Sequence, residues 1–282
     1  MQESAVVFPV GQTELIGVLN KPMALKSVAV LIIVGGPQYR GGSHRQFVQL
    51  ARALGDAGIC SLRFDYSGMG DSFGHKKAFD SINEDIAAAC DCLRQKSGVD
   101  QVVIWGLCDA ASAALMYAST DPSVVGMVLL NPWLRTGTTT GKTMLKYYYV
   151  QRVLSKDFWR KLVMGKVKLT KSINEAKQFA QDSLKNTEQS ETDYQHRMLV
   201  GAKKYNGKVC LIISGKDLTA QEFMQQANSD KEWKRFVTAK CQVHKLAEAD
   251  HTFSSAQSKK QVEQLTVDFI NLVALQRQCS PM

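Results

Sequence analysis

The sequence predicts an α/β domain in which helices cover both faces of a mostly parallel central sheet and one helical segment is inserted. Two observations lead to this prediction: β-branched apolar runs alternate with helical patterns, and short glycine-containing loops join them. A third is the basic stretch at residues 134–206, which interrupts the alternation. The chain has 282 residues, 45% of them hydrophobic, so it can bury a large core without disulfide or metal support.

The individual strands and helices are predicted from local patterns. Residues 5–8 and 14–19 are typical of a strand pair around a turn at Gly11, which gives the sheet an antiparallel edge. The run 28–34 is apolar throughout, as in a strand covered on both faces. The other strands are predicted at residues 59–65, 101–105, 124–130, 208–214 and 238–246. Helices are predicted at residues 45–57, 81–94, 110–119, 221–227 and 255–275, the second of them with a capping box of Ser81 and Glu84.

The basic stretch is predicted to be a helical cap at residues 134–206, above the carboxyl ends of the strands, where sheets of this class bind ligands. The core then consists of residues 1–133 and 207–282. The stretch has 15 Lys and Arg against 6 Asp and Glu, so it carries the whole net charge of +9 and leaves 20 of each sign elsewhere. A basic cap would attract anionic substrates, such as a small or carrier-linked acyl compound.

The same charge has two other interpretations. A catalytically idle scaffold would use the basic cap to bind an acidic partner or a membrane surface. Nucleic-acid binding is not expected, because no nucleic-acid motif accompanies the charge.

The most informative motif is Gly-Leu-Cys-Asp-Ala at residues 106–110, between an apolar strand and a helix. It fits the nucleophile elbow G-x-S-x-G, with cysteine in place of serine and alanine in place of the last glycine. Small residues flank such a turn because its backbone is strained and crowded. Cys108 is therefore the predicted nucleophile, and its place at a helix N-terminus is expected to favour the thiolate.

An activated thiol needs a base and a carboxylate that orients it, in the chain order nucleophile, acid, histidine for this type of fold. Asp217 follows the strand at residues 208–214, and His251 follows the last strand. The sequence thus predicts a triad of Cys108, Asp217 and His251. Two alternatives remain: Asp217 is also placed to cap a helix, and Asp250 lies beside the histidine.

Acyl transfer also needs hydrogen-bond donors for an oxyanion. One expected donor is the backbone N–H of Asp109, directly after the nucleophile. The other should come from the loop after the strand at residues 28–34, which reads Gly-Gly-Pro-Gln. Because proline has no N–H, this donor is Gly36 or Gln38.

A second polar group, in the glycine-rich segment at residues 63–72, is interpreted as scaffold. Asp65 and Ser72 are expected to satisfy backbone groups of this loop, and Arg63 is expected to pair with a neighbouring carboxylate.

These motifs resemble those of the α/β-hydrolase superfamily over essentially the whole chain. More narrowly, the sequence resembles the exosortase A system-associated hydrolases of the type 1 group. The segments that carry this likeness are Gly-Gly-Pro-Gln-Tyr-Arg-Gly-Gly-Ser-His-Arg-Gln-Phe at 35–47, Arg-Phe-Asp-Tyr-Ser-Gly-Met-Gly-Asp-Ser at 63–72, Gly-Leu-Cys-Asp-Ala at 106–110 and Ala-Asp-His-Thr-Phe at 249–253. The cysteine nucleophile is also similar to that of the dienelactone hydrolases.

The resemblance implies a bacterial hydrolase or acyltransferase associated with surface-protein sorting and exopolysaccharide machinery. A thiolate is a good leaving group, so activated esters and thioesters are expected substrates ahead of amides. The acyl group would pass to water or, in an acyltransferase, to a sugar hydroxyl.

No cofactor or metal is expected, since the seven cysteines show no metal-ligand spacing. Their odd number and hydrophobic surroundings, together with the lack of an export signal, indicate a reduced cytoplasmic protein. No apolar run is long enough for a transmembrane segment, and a homo-oligomer is compatible with the sequence.

Overall fold

The computed structural model of the chain describes residues 2–36, 38–134 and 191–278. In these residues eight strands form a single sheet in the order β1-β2-β4-β3-β5-β6-β7-β8. The first two strands pair with each other and with β4 in antiparallel fashion, and all other pairs are parallel. The strands are β1 Gln2–Val10, β2 Thr13–Lys21, β3 Val28–Ile33, β4 Ser61–Asp65, β5 Gln101–Leu107, β6 Val124–Leu130, β7 Lys208–Ser214 and β8 Cys241–Leu246. The predicted α/β sheet with an antiparallel edge is therefore confirmed.

Helices lie on both faces of this sheet. They are α1 Gln46–Asp56, α2 Asn83–Ser97, α3 Asp109–Tyr117, α4 Glu191–Lys204, α5 Leu218–Ser229, α6 Lys231–Lys240 and α7 Ala256–Gln278. Side chains of α1 and α7 belong to one buried cluster, and those of α2 to α6 belong to the other. The central strands β3, β5 and β6 are buried on both faces, as their continuous apolar runs predict.

Two local predictions are wrong. Residues 238–240, predicted as the start of a strand, end the helix α6 instead. The carboxylate of Asp230 caps this helix by accepting hydrogen bonds from the backbone N–H groups of Glu232 and Trp233, at 2.9 and 3.0 Å. Burial of Trp233 and Phe236 then stabilises the helix, although its many polar residues leave no clear apolar pattern in the sequence.

The predicted capping box of Ser81 and Glu84 is also absent. The helix α2 begins at Asn83, two residues later than predicted, and Ile82 precedes it without a side-chain cap. The hydroxyl of Ser81 donates to the Asp80 carboxylate at 3.3 Å.

Most of the predicted cap, residues 135–190, lies outside the described residues. Its last part forms α4, which lies against α3. Tyr194, Met198 and Ala202 of α4 are buried in the same cluster as the helices α2 and α3. Within the described ranges, no helix combines the length and the apolar character needed to cross a membrane.

Candidate active site

Cys108 occupies a tight turn between β5 and α3. Its backbone has φ 61° and ψ −121°, a sparsely populated conformation for a residue with a side chain. The turn also needs a glycine two residues earlier, since a Cβ on Gly106 would lie 2.7 Å from the carbonyl carbon of Ala110. The predicted strand–turn–helix geometry is present, and it leaves the side chain of Cys108 partly exposed.

The surroundings of Cys108 favour the neutral thiol. Burial raises its pKa to about 12, and the negative charges of Asp109 and Asp217 act in the same direction. A hydrogen bond from the backbone N–H of Asp109 lowers the pKa by less than these effects raise it. Burial and the two nearby carboxylates thus act against the thiolate that was expected at the helix N-terminus.

Asp217 and His251 form a hydrogen-bonded pair at the carboxyl ends of β7 and β8. The distance from His251 Nδ1 to Asp217 Oδ2 is 2.9 Å. The hydrogen bond from Asp217 raises the pKa of His251, against the effect of burial, and the charges of Asp217, Asp109 and Asp250 add to the rise. Among the residues that the structure describes, none is hydrogen-bonded to Nε2 of this imidazole, the nitrogen that would exchange a proton with another group.

Asp217 also has the second role that the sequence left open. Its carboxylate accepts hydrogen bonds from the backbone N–H groups of Thr219 and Ala220, at 3.3 and 2.9 Å, and so caps α5. The buried carboxylate is therefore fixed by the helix that follows it while it binds the imidazole.

The thiol and the imidazole lie in one electrostatic environment. The charges of Asp109 and Asp217 each raise the pKa of both Cys108 and His251. Within the described residues, the hydrogen bonds of this site do not include one from the Cys108 thiol to the His251 ring.

Asn131, which the sequence analysis missed, connects the ends of β6, β7 and β8. Its side-chain amide donates to Ser214 Oγ at 2.8 Å and to the backbone carbonyl of His251 at 3.1 Å. Its side-chain oxygen accepts from the backbone N–H of Ser214 at 2.9 Å. This buried residue follows β6, so it fixes the loop of His251 to the ends of β6 and β7, and β6 is the neighbour of β5 in the sheet. A polar residue directly after a buried strand was the available signal.

The predicted oxyanion donors lie beside the elbow, but a side chain contacts one of them. The backbone N–H of Gly36 donates to both carboxylate oxygens of Asp109, at 2.8 and 2.9 Å. The backbone N–H of Ala110 donates to Asp109 Oδ1 at 2.9 Å. The side chain of Gln38 accepts from the Ser43 N–H at 3.0 Å and so holds its own loop.

Arg40, also missed, links this loop to the end of β4. Its guanidinium contacts the buried carboxylate of Asp65 and lies 2.6 Å from that of Asp71. The predicted scaffold contacts are present too: Ser72 bonds to the Asp65 carbonyl at 2.5 Å, and Arg63 lies 3.8 Å from the Glu3 carboxylate.

Comparison with curated proteins gives a short match. Over 77 residues, 27% of this chain and 19% of the relative, the sequence is 36% identical to the lysophosphatidylserine lipase ABHD12 of Xenopus tropicalis. The chain thus spans about a fifth of the length of the curated relatives that it matches.

Solved structures with similar folds match nearly the whole chain. The esterase Pf2001 of Pyrococcus furiosus has a TM-score of 0.65 at 14% identity, covering 97% of this chain and 91% of that one. A dienelactone hydrolase from Anabaena variabilis has a TM-score of 0.60 at 15% identity, covering 96% and 97%. A family model described as the alpha/beta hydrolase fold matches residues 28–251. From this match and the strand order, the chain belongs to the α/β-hydrolase family.

Proposed function

We propose that the protein is a cysteine hydrolase that cleaves an activated ester or thioester through an acyl-enzyme on Cys108. The observation that carries the proposal is the strained elbow with a thiol at its apex, beside the pair of His251 and Asp217. Side chains at the carboxyl ends of β5, β7 and β8 provide the three groups that acyl transfer requires.

The first half-reaction transfers the acyl group to sulfur. Cys108 Sγ bonds to the carbonyl carbon while His251 Nε2 takes the thiol proton, and the carbonyl oxygen gains the negative charge. When the tetrahedral intermediate collapses, the bond to the leaving oxygen or sulfur breaks and His251 returns the proton to that atom. The raised pKa of the thiol keeps Cys108 protonated, so its proton must be removed during the attack, and the raised pKa of His251 makes the neutral imidazole a stronger base for that step.

The second half-reaction releases the acyl group. Water attacks the thioester of Cys108 while His251 accepts its proton, and the proton then passes to the departing sulfur. A sugar hydroxyl in place of water would make the enzyme an acyltransferase. Asp217 stabilises the imidazolium in both half-reactions through its hydrogen bond to Nδ1.

The expected substrate is an anionic acyl compound, small or carrier-linked. The support is the basic stretch at residues 134–206, with 15 cationic against 6 anionic side chains. The likeness of the motifs to exosortase A system-associated hydrolases extends the proposal to a bacterial, cytoplasmic enzyme linked to exopolysaccharide production.

Thiol labelling tests the nucleophile. Protein treated with p-nitrophenyl acetate or an aryl thioester should acquire one acyl group, located on Cys108 by mass spectrometry, and Cys108→Ala should lose it together with the catalysed hydrolysis. Cys241→Ala is the matched control, because Cys241 is also partly exposed and its pKa is also raised to about 12. Labelling spread over several cysteines, or turnover that persists in Cys108→Ala, would contradict the proposal.

The contact between Asp109 and Gly36 favours a second candidate, an idle scaffold that binds an acidic partner through its basic stretch. Such binding should weaken strongly at moderate salt and should be indifferent to Cys108→Ser. Turnover that depends on Cys108 excludes this alternative.

A further inference from the structure

The side chain of Asp109 has no role in the chemistry proposed above, although it lies within the site. Its carboxylate accepts from the Gly36 N–H in the loop after β3, at 2.8 and 2.9 Å, and from the Ala110 N–H at the N-terminus of α3, at 2.9 Å. A Cβ on Gly35 would collide with Asp109 Oδ1, so the glycine makes room for this group. The carboxylate is thus held where the elbow and the loop after β3 meet.

This is where an oxyanion should bind. The acyl oxygen of a substrate on Cys108 would take its donors from the Asp109 N–H and from the loop after β3, where the N–H of Gly36 rather than Gln38 lies against the elbow. A carboxylate is itself an oxyanion, and the Gly36 N–H is already directed to both of its oxygens. A second anion at the same amide would lose that donor and would also be repelled by the carboxylate.

We propose that Asp109 is an internal competitor for the oxyanion hole, a residue whose carboxylate must leave the Gly36 N–H before the carbonyl oxygen of a substrate can bind there. The inference deepens the proposed function and rests on it, since it concerns the acyl oxygen of the same reaction. It makes residue 109 a determinant of specificity: only acyl donors reactive enough to tolerate the competition are turned over. This agrees with a preference for activated esters and thioesters over amides.

The test compares two reactions of the same thiol in wild type, Asp109→Ala and the isosteric Asp109→Asn. Acylation by p-nitrophenyl acetate develops an oxyanion, whereas alkylation by iodoacetamide does not. Dividing the acylation rate by the alkylation rate removes the effect of the substitution on thiolate formation. Freeing one oxyanion donor should raise this ratio by about tenfold or more in Asp109→Ala, and by less in Asp109→Asn, whose amide oxygen can still accept from the Gly36 N–H. A ratio that is unchanged or falls in both variants overturns the inference.

Asp250→Asn is the matched control. Asp250 also raises the pKa of His251 through its charge, but its carboxylate accepts a hydrogen bond from the backbone N–H of Ser254 at 2.9 Å and not from Gly36. Its ratio should stay within about twofold of wild type. A rise equal to that of Asp109→Ala would mean that loss of any negative charge is sufficient, and would overturn the inference.

A binding experiment separates this inference from the proposed function. In Asp109→Ala the vacated amides should accept a small carboxylate, so acetate should slow alkylation of Cys108 by about threefold or more, while wild type should respond little. Protection by acetate without acylation in any variant would refute the proposed hydrolase and retain the anion site. Acylation of Cys108 without protection by acetate in Asp109→Ala would refute the internal competitor, but the proposed hydrolase would stand.

Discussion

At the scale of single residues, the pair of His251 and Asp217 differs from a surface ion pair. Asp217 is buried and bound by two amides of α5, so its carboxylate is oriented before the histidine contacts it. Little side-chain entropy remains to be lost when the imidazole binds, and the hydrogen bond is less screened than one in water. The raised pKa of His251 is the measurable consequence.

We expect Asp217→Asn to move the acidic limb of the pH–rate profile to lower pH. A base must be neutral to accept the thiol proton, so this limb reports the pKa of His251. Without the carboxylate, the largest cause of the raised pKa is lost and burial lowers it instead. The maximal rate should also fall by about 100-fold or more, because the imidazolium is no longer stabilised. Acylation rates from pH 4 to 9, or an NMR titration of His251, measure the shift.

The asparagine is chosen because it still caps a helix well, whereas Asp217→Ala removes the cap and the pair together.

Pairing raises the pKa of His251 above its ordinary 6.5, so the pair stabilises the folded state fully below that pH. This contribution fades as the pH rises through the raised value. Asp217→Asn should therefore lower the free energy of unfolding more at pH 5 than at pH 9. An acidic limb that stays in place would contradict the assignment of the base.

At the scale of elements, the loop after β3 is held in position by a contact outside the site. Arg40 connects it to Asp65, a fully buried carboxylate at the end of β4, and to the more exposed Asp71. The backbone N–H of Arg40 also donates to Asp65 Oδ1 at 2.6 Å. Gly36 lies four residues earlier in the same loop.

We expect Arg40→Met to lower the free energy of unfolding by about 3 kcal/mol, because it leaves the buried Asp65 without its cation. Acylation of Cys108 should slow as well, since the loop with Gly36 loses its anchor. Denaturant unfolding and the acylation rate measure the two effects. Arg52→Met is the control: its pair with Glu3 is on the surface, so it should leave both nearly unchanged. Partial recovery of the free energy of unfolding in the double variant Arg40→Met, Asp65→Asn would support the pairing. Equal losses in Arg40→Met and in the control Arg52→Met would contradict it.

The sequence predicted elements well where one physical signal dominates. The apolar runs of β3 and β6 need no tertiary information, because both faces of a central strand are buried. The helix α6 was not predicted, for the opposite reason. It is polar except for a few side chains, and it is defined by the cap from Asp230 and by the tertiary contact of Trp233 with Phe223.

The candidate site divides in a similar way. Cys108 and His251 are visible in the sequence because the fold places such residues directly after particular strands. The contacts of Asp109 with Gly36, and of Asn131 with His251, join residues 73 and 120 positions apart. No periodicity or local spacing encodes such contacts, so they emerge only when the chain is folded.

At the scale of the whole molecule, two buried clusters on opposite faces of the sheet stabilise the strands that carry the site at their carboxyl ends. The cluster on the side of α3 includes side chains of α4, which lies in the stretch predicted to be a cap. Gly201 shows how close this contact is: a Cβ there would collide with the backbone carbonyl of Leu115 in α3. Helix α4 thus contributes to the same core that supports the nucleophile elbow.

This shared core predicts how the protein unfolds. Met198 of α4 is fully buried, so Met198→Ala should lower the free energy of unfolding by about 2–5 kcal/mol in a single cooperative transition. Chemical denaturation followed by tryptophan fluorescence and far-UV circular dichroism measures it. Lys204→Ala, on the exposed side of the same helix, should change the midpoint little. If α4 unfolded as part of a separate cap, Met198→Ala would produce an early transition and leave the main midpoint in place. If the unfolding midpoints from fluorescence and circular dichroism shift together, residues 191–204 belong to the core. The predicted insertion would then end before this helix.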